Sequence, residues 1–145
     1  MNKVIGSLNA MYNIERAATT IYKAQLGAFK QKEAVEKFTF AVANEQEHAD
    51  DLKARIVELG GKVTPTGGLF GFAGMVLGFK TRLLGKKVML KADLWVEHKA
   101  VNDYGSFLKK VDFDEKSAAL IKKNIEDEKR HIKNLTEILD TIKKK

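Results

Sequence analysis

The chain has 145 residues, 44% hydrophobic and 31% charged, which suits one folded domain over residues 1–145 and excludes a disordered chain. It has no cysteine, which excludes disulfides, thiolate-bound metals and cysteine nucleophiles, so any metal must be held by carboxylates and imidazoles. The net charge of +7 is unevenly placed: no Asp or Glu lies between Glu58 and Asp93, a stretch that carries Lys62, Lys80, Arg82, Lys86, Lys87 and Lys91. These cations do not interleave with aromatics as in an RNA-binding sheet, so no nucleic-acid partner is predicted.

Four long segments carry inward-type residues at steps of three and four, the spacing that keeps side chains on one stripe of a helix. The first runs Leu8, Met11, Glu15, Ala18, Tyr22, Leu26, Phe29, with no secretory signal expected ahead of it. A tight join near Gly27 to Lys32 leads to the second, Phe38, Ala41, Glu45, His48, Leu52, Ile56, Leu59, which Gly60-Gly61 stops before Pro65, the single proline. Residues 62–87 then read as a glycine-rich crossover enclosing a short helix. Its apolar run, Leu69 to Phe79, is too short to span a bilayer. The third segment is Leu90, Leu94, Glu97, Val101, Tyr104, Leu108, Val111. The fourth, capped by Asp112 or Asp114, is Ile121, Asn124, Glu128, His131, Leu135, Ile138, Ile142. The predicted fold is all-α, a ferritin-like four-helix bundle with its one long crossover between helices two and three.

Each stripe is apolar except at one level, where Glu15, Glu45 with His48, Glu97, and Glu128 with His131 interrupt it. A bare carboxylate in a bundle core is costly unless it is paired, hydrogen-bonded or bound to metal, and four of them facing one another repel. Glu-x-x-His puts a carboxylate and an imidazole on adjacent turns of one face, within reach of one metal. Two such helices and two single-Glu helices make a two-metal site for iron, with manganese fitting the same donors. Exposed helix charges, as expected for Glu33, Glu36 and Glu137, are the competing reading of such residues. Glu47, Asp50, Asp51 and Glu126, with Asp127 at the edge of its stripe, read as solvated faces, and His98 as a surface residue or a neighbour of the ligands rather than a ligand itself. The closing lysines, Lys143 to Lys145, read as a solvated helix end.

The order Glu, Glu-x-x-His, Glu, Glu-x-x-His resembles the demethoxyubiquinone hydroxylase family of ubiquinone-biosynthesis monooxygenases. Ile21-Tyr22-Lys23-Ala24-Gln25-Leu26 is similar to that family's Ile-Tyr-x-Gly-Gln-Leu, and Gly78-Phe79-Lys80-Thr81-Arg82-Leu83-Leu84-Gly85-Lys86 to its Gly-x-x-Thr-x-Leu-Leu-Gly-Lys. Val96-Glu97 with Tyr104 is similar to its Val-Glu-Glu…His-Tyr segment, with Asp103 in place of the histidine. Met11-Tyr12-Asn13-Ile14 replaces its Asp-His-Ala-Gly.

The resemblance implies a di-iron enzyme that activates dioxygen and hydroxylates a quinone-like ring, with Tyr104 relaying protons or electrons. The apolar, lysine-flanked residues 66–91 predict contact with a membrane surface, and hence a cytoplasmic protein peripheral on the inner face of the cell membrane; the competing reading is a crossover whose aromatics close the bundle end. A homo-oligomer is compatible with the sequence. The alternatives are a rubrerythrin- or ferritin-like peroxide-reducing or iron-oxidising protein, and a metal-free scaffold or lipid-surface protein.

Overall fold

The computed structural model describes residues 2–143; Met1, Lys144, Lys145 and the side chains of Asn2 and Lys143 lie outside the described residues, and with them the reading of the closing lysines. The elements are α1 (Asn2–Gln25), a 3-10 turn (Leu26–Ala28), α2 (Lys32–Glu58), α3 (Gly67–Leu83), α4 (Lys86–Lys110) and α5 (Glu115–Lys143), with no strand among the described residues. The four stripes became the inner faces of α1, α2, α4 and α5, an all-α ferritin-like bundle. Its core is in two parts. Tyr22, Phe29, Phe38, Met89, Leu90 and Leu135 anchor one, and Leu8, Met11, Leu52, Ile56, Tyr104 and Ile121 the other. The polar level lies between them.

The helix ends follow local chemistry. Past α2, the amides of Gly60 and Gly61 donate to the carbonyls of Val57 and Ile56, both at 2.9 Å, closing the last turn. At the start of α5, Asp114 Oδ1 accepts from the Ser117 amide at 3.0 Å, as the capping expectation required. Arg55, itself 8% exposed, donates to Ser117 Oγ at 2.8 Å and to Asp114 Oδ1 at 2.5 Å, fastening α2 to that cap.

The crossover departs from expectation. It is no loop around a short helix but a 17-residue helix, α3, lying along α1. The cause is a row of glycines on one face, Gly67, Gly71, Gly74 and Gly78, all buried. A Cβ at Gly74 would stand 2.3 Å from the Ala17 carbonyl oxygen, so only glycine lets the two backbones touch there. Thr20 Oγ1 donates across the same contact to the Gly71 carbonyl at 2.7 Å. The opposite face of α3 is exposed and apolar, with Leu69, Phe72, Phe79 and Leu83 each more than half accessible. At Gly85, φ of +96° turns the chain from α3 into α4.

Gln25 ties three helices together: its Nε2 donates to Asp93 Oδ1 on α4 at 2.9 Å and to Thr81 Oγ1 on α3 at 3.1 Å. Burial raises the Asp93 carboxyl to about 7, against the opposing pull of the Gln25 hydrogen bond.

Two predictions follow from this packing. Gly74→Ala pushes α3 off α1 and lowers stability by about 1–3 kcal/mol in denaturant titration. For Asp93, the folded pKa lies above the unfolded one. The unfolded chain therefore holds fewer protons, and stability declines as pH rises from the ordinary aspartate range through about 7. Asp93→Asn removes that decline. The variant is more stable than the parent at pH 8 by up to about 4 kcal/mol, and the gap closes below pH 4.

Candidate metal centre

Six side chains meet at the level between the two core clusters. Glu15 comes from α1, Glu45 and His48 from α2, Glu97 from α4, and Glu128 and His131 from α5, and none is more than 1% exposed. Exposed helix charge is therefore the wrong description for all six, whereas Glu33, Glu36 and Glu137 are indeed exposed. Helical spacing does the placing: the i, i+3 step sets each histidine one turn from its own glutamate, and apolar neighbours on the stripe keep both turned inward.

The donors fall into two overlapping groups that could each hold a metal ion. Glu15, Glu45, His48 and Glu128 form one, Glu45, Glu97, Glu128 and His131 the other, with ligand atoms in each group within 4.8 Å of one another. Glu45 and Glu128 belong to both. His48 Nδ1 lies 3.8, 3.7 and 3.2 Å from oxygens of Glu15, Glu45 and Glu128. His131 Nδ1 lies 3.1, 3.7 and 3.0 Å from oxygens of Glu45, Glu97 and Glu128. Both Glu45 oxygens, Glu128 Oε1 and His48 Nδ1 are buried and lack a hydrogen bond among the described residues. Orphaned donors of this kind, converging from four helices, fit metal ions with oxygen-rich, imidazole-containing ligation.

The electrostatics say the same. Burial, then the Glu15 charge, raises the Glu45 carboxyl, with the histidines pulling the other way. Burial and the charges of Glu128 and Glu45 raise Glu97 well above the usual range. Burial alone would lower the two imidazoles, but the surrounding glutamates outweigh it and push His48 and His131 up to about 12. Without metal, protons on the imidazoles offset the carboxylate charge.

The family model described as "Ubiquinone biosynthesis protein COQ7" matches residues 13–141, which include α3 and every residue of the cluster. The chain belongs to the COQ7 family. That membership carries a hydroxylase role in ubiquinone biosynthesis. No curated protein matches the chain.

Within this COQ7 chain the cluster has an inner symmetry. Tyr22 follows Glu15 by seven residues and Tyr104 follows Glu97 by seven, and the pairs cross. The Tyr22 hydroxyl donates to Glu97 and the Tyr104 hydroxyl to Glu15. Burial and the adjoining carboxylates raise both phenols well above 10, so both stay protonated donors. Tyr104 is a site candidate from sequence, whereas Tyr22 enters there as a stripe residue and as part of the family-like motif of residues 21–26, with no role at the site.

Asp127 corrects the sequence reading. It is no solvated face but 5% exposed, and its Oδ2 accepts from His48 Nε2 at 3.0 Å. Glu47, Asp50, Glu126 and His98 are exposed as read and Asp51 half-exposed. Asp103, in place of the family's histidine, pairs with Lys99 at 2.6 Å.

Because the imidazoles must surrender protons to take a metal, affinity rises with pH. Manganese(II) added to chelator-stripped protein raises the melting temperature, more at pH 8 than at pH 6. Glu45→Gln abolishes that rise while leaving the metal-free melting temperature within a few degrees, as read by differential scanning calorimetry.

Proposed function

We propose that this chain is a non-haem di-iron monooxygenase that hydroxylates a quinone-type ring. The observation that supports it most is the sharing of Glu45 and Glu128 between two donor groups, each with its own histidine and its own outer glutamate. In this reading Glu15, Glu45, His48 and Glu128 would hold one iron, and Glu45, Glu97, Glu128 and His131 the other, with Glu45 and Glu128 common to both sets. Iron bound there would supply the redox chemistry that activates dioxygen.

The chain's own residues set the conditions. Tyr22 and Tyr104 orient the outer carboxylates of Glu97 and Glu15 through their hydroxyl protons. Tyr104 holds its proton at the oxygen that faces Glu15, next to the donor cluster, and relays it during turnover. Both core clusters exclude water on either side. Ring hydroxylation puts one oxygen atom into a C–H bond and sends the other to water, so two electrons and two protons come from an external reductant.

No helix among the described residues is long and apolar enough to cross a membrane. The exposed face of α3, with Leu69, Phe72, Phe79 and Leu83 beside Lys80, Arg82, Lys86 and Lys87, is suited to lie in the interface of an anionic bilayer and receive a greasy substrate.

The test is aerobic turnover of the iron-loaded protein with a reductant and a short-chain demethoxyquinone. A hydroxylated ring, found by mass spectrometry with one atom of labelled dioxygen incorporated, is the expected product. Tyr104→Phe keeps both metal equivalents but lowers turnover by about 100-fold. Oxygen consumed only to water, with the ring unchanged, would instead make the chain an iron-oxidising or peroxide-reducing protein.

A further inference from the structure

The pseudo-symmetry of the cluster is broken one residue before each bridging glutamate. Asp127 precedes Glu128, and Asn44 precedes Glu45. The two do not play matching parts. Asp127 accepts from His48 Nε2 at 3.0 Å and so holds a ring proton on that nitrogen, which leaves Nδ1, the nitrogen facing the glutamates, as the one to give up its proton to a metal. Asp127 is itself held: the Arg130 guanidinium grips its Oδ1, and Asn44 Nδ2 donates to its Oδ2 at 3.4 Å. Asn44 has thus turned toward Asp127. His131 Nε2 is buried with no hydrogen bond among the described residues, and Asn44 Oδ1 is likewise orphaned. The His131 ring also borders a cavity of about 10 Å³, lined with it by Tyr22, Phe38, Ala41 and Leu135 among others.

A carboxylate on the far nitrogen of a metal-binding imidazole fixes the tautomer, locks the ring and makes the near nitrogen a stronger donor. We propose that Asp127 makes the two metal positions unequal, so that the His48 position fills first and holds its ion tightly while the His131 position is the exchangeable one. The proposal rests on the two-metal reading above and adds to it an order of loading and a positioning residue, Asp127, that acts through His48.

The experiment is a cobalt(II) titration of the full chain after chelator stripping, followed by ligand-field absorption and by competition with a chromophoric chelator. Two distinct steps are expected. Asp127→Asn weakens the tighter step by about 10–100-fold and leaves the weaker one unchanged. Asp127→Glu, which keeps the carboxylate, recovers part of the loss. The parent protein gives an independent readout should the asparagine variant fold poorly: with histidine ring nitrogens labelled, the first equivalent of cobalt perturbs His48 ahead of His131 in the NMR spectrum. Two equivalents bound with one affinity, or His131 perturbed first, would overturn the inequality and leave the two-metal reading standing. Failure of cobalt, manganese and iron alike to bind would remove that reading and the inequality with it.

Discussion

The bundle is organised around a charge it could not carry alone. Four glutamates meet at one level with almost no access to water, and among the described residues two imidazoles are their cationic partners. Isolated buried carboxylates would cost several kcal/mol each after relaxation. The structure therefore depends on something positive between them: protons on His48 and His131 when no metal is present, cations otherwise. Everything around the level serves that requirement. The two apolar clusters seal it above and below, and the tyrosines supply hydrogen bonds that stay donors because burial keeps them protonated.

The crossed pairs, Tyr22 to Glu97 and Tyr104 to Glu15, join α1 to α4 directly. The paired helices α1–α2 and α4–α5 each bring one Glu, one Tyr and one Glu-x-x-His, so each half of the fold is incomplete. Each outer glutamate takes its phenol hydrogen bond from the other half. A change in the packing of one half is thus felt at the carboxylate of the other, which explains why the joining contacts are hydrogen bonds of fixed geometry rather than apolar packing alone.

Most of the site could be read from the sequence because helices repeat. Glu15, Glu45, His48, Glu97, Glu128 and His131 all interrupt otherwise apolar stripes, and periodicity alone turns such residues inward. What it could not give was the partner across the bundle. Tyr22 passed for an apolar residue because its hydroxyl contact is 75 positions away. Asp127 lies at the edge of its stripe, where only the neighbouring helix decides between water and core; α2, bringing His48 and Asn44, decided for the core. Asp93 carried a usable signal, standing one turn before Glu97 on the same face. The glycines of α3 misled for a physical reason: glycine is a weak helix former in isolation, yet backbone-to-backbone contact with α1 rewards its missing side chain.

That contact ties the surface of the protein to its centre. Gly74 and Gly78 sit against the backbone at Ala17 and Ile21, on the stretch of α1 that runs from Glu15 to Tyr22. One face of this stretch supplies a carboxylate and a phenol to the cluster, and the other is covered by α3. A bulkier residue at either glycine would lift α3 and bring water toward the backbone that fixes both groups. The exposed aromatics of α3 and the dry interior are therefore two sides of one helix pair. The same glycines that bring α3 close enough to protect α1 leave the helix's leucines, phenylalanines and methionine exposed.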